Sequence, residues 1–290
     1  MADLHYTLLD DLAVLDVRGA HAVSFLQGQL TQDVSLLCER GSLLAALANA
    51  EGRVMAVLRL LQVSEQHVLL ILPAELAEST RQLLARYVLR AKVTITDASA
   101  SWRVYGIAGP DADAAASTRI CAPLDDSGWR QLIVAPRVEA LPEVEPATPG
   151  SWQLADIEAG IPQVLGATSG SFVAQMLNLD LLQAVSFDKG CYTGQEVIAR
   201  AHYRGQVKRR MQRFFTESLQ PLHPGQRIQL GDGRAAQIVI CTPGETGGQH
   251  FLAVARLPQL PAEPEPAAAE SHPRVDCVTL PLPYQWPNLT

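Results

Sequence analysis

The chain has 290 residues, of which 48% are hydrophobic and 18% charged, and its formal net charge is −7. This length is enough for two or three domains with a sizeable core, and the composition excludes an intrinsically disordered chain. The negative balance argues against a broad nucleic-acid-binding surface, although it is compatible with a local basic patch.

The cysteines and the apolar runs limit the remaining classes of protein. The five cysteines are far apart and none forms a Cys-x-x-Cys pair, so we expect neither a zinc site nor a disulfide framework. Charges such as Arg53 and Arg59 interrupt the apolar runs, so no membrane span is expected. The N-terminus lacks the basic start and apolar run of a signal peptide. Together these features predict a cytoplasmic protein with reduced thiols.

The first hundred residues alternate apolar runs with helical patterns. Strands are predicted over 12–17, 42–49, 53–63, 67–72 and 92–96. Helical spacing over 23–30, with Gly28 inside it, predicts a helix that residues 33–34 close. A second helix opens at Pro73 and runs to Val88. This order predicts an antiparallel sheet with a helix on one face.

The middle of the chain is less regular. Strands are predicted over 103–107 and 131–135, a short helix after 109–111, a surface connection over 139–150 and a helix over 152–159. Residues 166–182 lack clean periodicity and are interpreted as a loop followed by a short helix.

After residue 205 the pattern changes to short strands. These are predicted over 206–216, 225–230, 234–240, 251–256 and 275–280, with glycine-rich turns between them. They predict a small β-barrel or sandwich as a C-terminal domain over 206–290. The proline, alanine and glutamate tract at 257–273 is too poor in apolar residues to pack, so we predict a mobile loop. The basic run over 200–213 is interpreted as an exposed face, and alternatively as a site for an anionic partner.

Residues 189–196, Lys-Gly-Cys-Tyr-Thr-Gly-Gln-Glu, form the segment that we call the signature. Thr193 and Glu196 have the spacing of a capping box, in which each side chain bonds the amide of the other residue. We therefore expect a helix to begin at Gly194 and to stop at Gly205, because glycine enters the left-handed region at little cost.

Cys191 is the candidate reactive residue of the signature. It would lie just outside the helix N-terminus, where unpaired amides favour an anion. Lys189 adds a positive charge, and Gly190 allows close approach of the backbone, so a thiolate would be favoured over the thiol. A single cysteine before a helix is also commonly a small buried apolar residue, and this structural alternative stays open.

The signature resembles that of the YgfZ family, folate-binding proteins related to the glycine-cleavage T-protein, an aminomethyltransferase. Further matching segments are 27–34 (Gln-Gly-Gln-Leu-Thr-Gln-Asp-Val), 49–53 (Asn-Ala-Glu-Gly-Arg), 157–162 (Ile-Glu-Ala-Gly-Ile-Pro) and 178–179 (Asn-Leu). The resemblance implies an α+β, T-protein-like fold of antiparallel sheets with helices around a central folate cleft. It implies that residues 1–205 form two interleaved subdomains, the inner one at roughly 41–124, with the C-terminal barrel beside them.

The resemblance also implies a function. The ligand would be tetrahydrofolate or a one-carbon derivative, with no metal, and Cys191 would face the folate cleft. The protein would be an accessory factor for the assembly or repair of iron–sulfur enzymes, including those that modify tRNA, through transient contacts with iron–sulfur proteins. Direct nucleic-acid binding is not expected. Cys191 and Lys189 would carry the chemistry, and the rest of the motif, Gly190, Thr193, Gly194, Gln195 and Glu196, would support them.

Four residues are expected at the folate site on the basis of the resemblance: Trp152, Glu158, Leu12 and Tyr192. Trp152 matches a family tryptophan, and its flat ring would stack on the ligand; alternatively it is a helix tryptophan at a domain boundary. Glu158 matches a glutamate that accepts hydrogen bonds from a pterin amine; alternatively it is a solvated carboxylate. Leu12 stands where the family can have a second tryptophan, so one wall would be aliphatic.

The T-protein's catalytic aspartate has no counterpart in this sequence. The matching segment is 54–58, where Ala56 occupies its position. Alanine cannot manage a proton or stabilise an iminium, so aminomethyl transfer by that mechanism is not expected. Besides the favoured accessory factor, a folate-dependent one-carbon transferase and a non-catalytic binding module remain as alternatives.

Overall fold

The computed structural model describes residues 5–109, 120–123, 130–137, 150–205, 207–244, 246–260 and 272–286. The strands before residue 150 are β1 (His5–Leu8), β2 (Leu12–Arg18), β3 (Ser42–Ala48), β4 (Val54–Ser64), β5 (His67–Pro73), β6 (Thr94–Asp97), β7 (Trp102–Ala108), β8 (Ile120–Pro123) and β9 (Arg130–Pro136). Those after it are β10 (Arg209–Thr216), β11 (Arg227–Leu230), β12 (Ala235–Pro243), β13 (Gln249–Arg256), β14 (Arg274–Val275) and β15 (Val278–Leu280).

The described helices are short. They are α1 (Ala22–Gln27), α2 (Leu37–Arg40), α3 (Ala77–Ala85), α4 (Ser151–Glu158) and α5 (Gln195–Tyr203), with 3-10 turns at Val34–Leu36, Ala74–Leu76 and Ala174–Leu177. Among the described residues, no helix combines the length and the apolar character that a bilayer crossing needs. The mixed α+β class is confirmed, with few helices.

The strands before residue 150 form two antiparallel sheets. The first has the order β3-β4-β5-β2-β6, and the second has the order β1-β7-β9-β8. Side chains alternate between the two faces of a sheet, and in the first sheet both faces are buried. One face contributes Leu15 and Leu70 to the larger core. The other contributes Leu69 and Ile71 to a smaller core that includes Leu132 of β9.

Both predicted helices in the first hundred residues are shorter than expected. α1 ends at Gln27, and Gly28 caps it rather than lying inside it. The carbonyls of Gln27 and Leu30 accept hydrogen bonds from Lys189 rather than from the amides of a further helical turn. Pro73 precedes a 3-10 turn rather than the α-helix itself. α3 then ends at Ala85, because Tyr87 bonds the carbonyl three residues back and tightens the chain into a turn.

The C-terminal strands form one six-stranded sheet, in the order β14-β11-β12-β13-β10-β15. Its own core contains Phe214 and Phe251, whose rings stack with centroids 5.3 Å apart. β14 and β15 are the two edge strands although they are neighbours in the chain, and they pair with β11 and β10 respectively. This arrangement gives partial support to the predicted C-terminal barrel.

Several predictions fall on residues outside those described. They are the helix after 109–111, nearly all of the connection at 139–150, and most of the tract at 257–273. The division at residue 205 and the inner subdomain at 41–124 stay predictions.

Candidate functional site

A cavity of about 540 Å³ lies between the two N-terminal sheets and the start of α4. The floor includes Leu44, Val57 and Ile71, which come from three neighbouring strands of the five-stranded sheet. Trp152 and Leu12 form part of its walls. Small-molecule sites commonly enclose ~300–1,000 Å³ with mostly apolar linings, so this cavity has the size and character of such a site.

Trp152 is held by the protein as well as facing the cavity. The guanidinium carbon of Arg130 lies 4.3 Å from the centroid of its ring. On the sheet beneath, Gly106 leaves space for the indole, since a Cβ there would come within 2.4 Å of the ring. Part of the indole surface is therefore covered by the chain, and a ligand would meet the remainder. Trp152 thus fits both the stacking role and the alternative of a structural tryptophan.

The cavity carries charges of both signs. Arg130 donates to Asp156 Oδ1 across 2.6 Å. Burial lowers the pKa of Arg59 to about 10, while Asp156 acts to raise it and Arg130 to lower it. At the mouth, burial raises the pKa of Asp11, and the charges of Asp10 and Asp156 add to that effect. Asp10 and Asp11 are exposed at the opening, whereas Asp156 and Arg59 are half-buried.

The signature forms a loop that leads into α5, and it is anchored to residues near α1. Lys189 Nζ donates to the carbonyls of Gln27, Leu30 and Gln32 at 2.7–2.8 Å. These three bonds use all three N–H groups of the ammonium. Cys191 is exposed, and Gly190 beside it has open space where a side chain would be. The lysine therefore positions the loop, and the thiol faces outward.

The predicted capping box does not form, although the helix does begin where expected. The cap residue of α5 is Gly194, at φ 81°, and no side chain caps the helix. Thr193 points its hydroxyl towards Gln29 Oε1 at 3.5 Å, and Glu196 instead accepts from Arg200 at 3.0 Å. A Cβ on Gly194 would lie 2.4 Å from the carbonyl oxygen of Asn49, so glycine allows the β3–β4 hairpin to approach.

The end of α5 also differs from the prediction. The helix ends at Tyr203, and Arg204 follows as its cap. Gly205 is not among the residues with positive φ, so it does not act as a left-handed stop. The amide of Arg204 still bonds the carbonyl of Arg200, which leaves no need for a glycine to reverse the chain.

The structure does not bring the signature to the cavity. No residue of 189–196 lines it. Tyr192 is buried in the larger core together with Leu15 and Leu70. The cavity borders both cores, through Val57 and Leu72 of the larger one and through Ile71 and Leu132 of the smaller one. The structure therefore does not bring Cys191 to this cavity, and the expectation that Cys191 faces the folate cleft stays a prediction.

Glu158 also lies away from the cavity lining. Its carboxylate accepts from Arg213 Nη2 of β10 at 2.7 Å, and half of its side chain is exposed. Its role as a folate ligand, like that of Tyr192, stays a prediction. Sequence reasoning missed two residues of the cavity: Asp156, which lies two residues before Glu158 on α4, and Arg59 of β4. The available signal for Arg59 was a lone charge within the apolar run of β4.

No group of three or more histidine, cysteine, aspartate or glutamate side chains is placed to hold a metal ion in the described parts of the chain. Cys191 therefore has no such cluster beside it there.

Comparison with known proteins gives three consistent results. Residues 9–130 match the family model of the GCVT N-terminal domain. An uncharacterized protein of Haemophilus influenzae is 33% identical over 223 residues, which cover 77% of each chain. The crystal structure of the glycine cleavage system aminomethyltransferase T from Bartonella henselae superposes with a TM-score of 0.65 at 15% identity, covering 88% of this chain and 79% of that one. The last likeness shows a shared fold across most of both chains.

Proposed function

Because the chain belongs to the aminomethyltransferase-like superfamily, we propose that it is a folate-binding protein of the YgfZ type. It binds tetrahydrofolate or a one-carbon derivative in the cavity beside Trp152. It serves as an accessory factor for iron–sulfur enzymes, including those that modify tRNA, and Cys191 is the thiol that acts on a partner.

The cavity is the observation that carries the folate proposal. Its floor is apolar, one wall is an indole, and carboxylates stand at its mouth. A reduced folate offers flat rings for the apolar surfaces and ring N–H and amino donors for carboxylates. The superfamily membership supports the same ligand class.

Conventional aminomethyl transfer is not part of the proposal. Ala56 is completely buried and does not line the cavity, so the position of the T-protein aspartate supplies no carboxylate there. The exposure of Cys191 supports action on an external partner rather than on a carbon carried by the bound folate.

Calorimetric titration with tetrahydrofolate under anaerobic conditions tests the ligand. We expect saturable heat for the native chain and a large loss of affinity for Trp152→Ala. Trp286→Ala is the matched control, since Trp286 does not line the cavity. Absence of saturable heat at millimolar tetrahydrofolate would contradict the proposal.

Complementation in cells that lack the endogenous protein tests the thiol. Cys191→Ala should fail to restore the activity of iron–sulfur enzymes, whereas Cys38→Ala, which removes the other exposed thiol of the described residues, should restore it. Full restoration by Cys191→Ala would remove the thiol from the mechanism and favour a pure binding module.

A further inference from the structure

The end of α4 turns the chain along the wall of the cavity. Gly160 follows the helix at φ 66°, and the amide of Ile161 bonds the carbonyl of Asp156 across 2.9 Å. A left-handed glycine followed by a bond of this kind is a Schellman turn. Asp156 lies before the turn and Ile161 directly after Gly160, and both line the cavity. The position of this turn therefore sets part of the cavity wall.

Tyr284, which follows β15 in the chain, packs against this turn from outside the cavity lining. Its hydroxyl donates to the carbonyl of Gly160 across 2.8 Å. A Cβ on Gly160 would lie 2.6 Å from that hydroxyl and 2.8 Å from Leu282, so the close contact requires glycine. Burial raises the pKa of Tyr284 to about 12, so the hydroxyl keeps its proton and remains a donor at neutral pH.

A buried polar network fixes Tyr284 in turn. The side-chain amide of Asn178, which is fully buried, donates to the Tyr284 hydroxyl across 3.2 Å and to the carbonyl of Met211 across 2.9 Å. Its oxygen accepts from Arg210 of β10 at 3.3 Å, and Arg210 also pairs with Asp180 at 2.9 Å. Buried polar groups that satisfy one another hold a single arrangement. Contacts therefore run without a break from the C-terminal sheet through Tyr284 to the cavity wall.

We propose that Tyr284 is a positioning residue for the ligand, which holds the turn after α4 where it completes the cavity wall and couples occupancy of the cavity to the C-terminal segment. Tyr284 acts through Gly160 and does not touch the ligand. The inference rests on the proposed folate function and adds a role for residues outside the cavity. Because coupling between two sites is reciprocal, a ligand against Ile161 and Asp156 also stabilises the contact between Tyr284 and the turn.

Calorimetry with tetrahydrofolate tests the positioning role. Tyr284→Phe removes the hydroxyl and keeps the ring, so we expect roughly three- to tenfold weaker binding, and Tyr284→Ala should weaken binding further. Phe214→Leu, in the core of the C-terminal sheet, is the matched control, because it should lower stability without altering the turn. Each protein is titrated at a temperature at which urea unfolding shows it to be folded, so that affinity reports the position of the wall rather than stability.

Hydrogen exchange on the native chain tests the reciprocal effect and needs no variant. Saturating tetrahydrofolate should slow exchange of the amides over 282–286, because the bound ligand holds the turn against which Tyr284 packs. The amides of α5, whose residues do not line the cavity, serve as the reference.

The outcomes separate the positioning role from the folate function. Native affinity in Tyr284→Phe, or a loss no greater than that in Phe214→Leu, overturns the positioning role. Unchanged exchange over 282–286 in a native chain that binds tetrahydrofolate overturns the coupling, and this result holds even if the variants do not fold. If the native chain gives no saturable heat with tetrahydrofolate, the folate function itself fails, and the positioning role fails with it.

Discussion

Lys189 and Leu30 are 159 positions apart in the chain, yet the lysine ammonium donates a hydrogen bond to the leucine carbonyl across 2.8 Å. Two further carbonyls, of Gln27 and Gln32, complete its bonding. The signature lysine therefore fastens two distant segments together, and a role in positioning Cys191 follows from this contact.

Replacing Lys189 by methionine should therefore destabilise the fold. The variant leaves three carbonyls without their charged donor, and hydrogen bonds to charged groups are worth ~1.5–3 kcal/mol each before water replaces part of the loss. We expect the free energy of unfolding in urea to fall by about 2 kcal/mol. Lys208→Met, at an exposed lysine, should change it little. An unchanged value for Lys189→Met would contradict the anchoring role.

The stability contributed at Lys189 should also depend on pH. Burial lowers the pKa of Lys189 from 10.5 to about 8, with Asp33 acting in the opposite direction. Between these two values the unfolded chain binds the proton and the folded chain does not, so stability rises with pH. The native chain should therefore gain stability relative to Lys189→Met as pH increases from about 8 towards 10.5. Urea unfolding of both proteins across this range measures the difference, and a difference that shrinks with pH would contradict the sign.

Gly106 should be required for the position of Trp152. A Cβ at Gly106 would approach the indole to 2.4 Å, so Gly106→Ala must displace the ring or the strand. Overpacking of this kind typically costs ~1–3 kcal/mol. We expect lower stability, a shifted tryptophan fluorescence spectrum and weaker tetrahydrofolate binding.

Gly190→Ala is the control for Gly106→Ala, because nothing lies within 4 Å of the added Cβ and φ is not positive there. Its stability should match that of the native chain. Equal behaviour of the two variants would show that the indole is not packed on β7 as described.

The sequence predicted elements better than it predicted which elements share a site. The β3–β4 hairpin and the strands beside it follow from apolar runs and a turn, which are local signals. The capping box failed because Gly194 takes the cap position so that the hairpin can approach, and this contact is not local. Patterns of spacing carry no information about such close approaches.

The separation of the signature from the cavity could not be predicted for a similar reason. The face of the sheet to which Ile71 points depends on the register of β5. The place where Tyr192 packs depends on the path by which residues 189–196 return to that sheet. Arg59 was visible only as a charge that interrupts an apolar run. Its position on a cavity floor follows from its pairing with Leu44 and Ile71, which the sequence does not encode locally.

Thiol labelling should separate the described cysteines into two classes. Cys191 and Cys38 are exposed. Burial raises the pKa of Cys241 to about 11 and also raises that of Cys277, so both carry little thiolate near neutral pH. Because the thiolate is the nucleophile, iodoacetamide at about pH 8 should label the two exposed cysteines first. Cys241 should become reactive only as the pH approaches its raised pKa.

Peptide mass spectrometry over time gives the rate at each cysteine, with Cys38 as the reference for exposure without the signature around it. A Cys191 rate well above that of Cys38 would support a thiol activated by its loop, and equal rates would mean that exposure alone accounts for its reactivity. Labelling of Cys241 as fast as Cys191 would contradict the burial of Cys241, whose Sγ contacts the carbonyl of Leu222 at 3.1 Å.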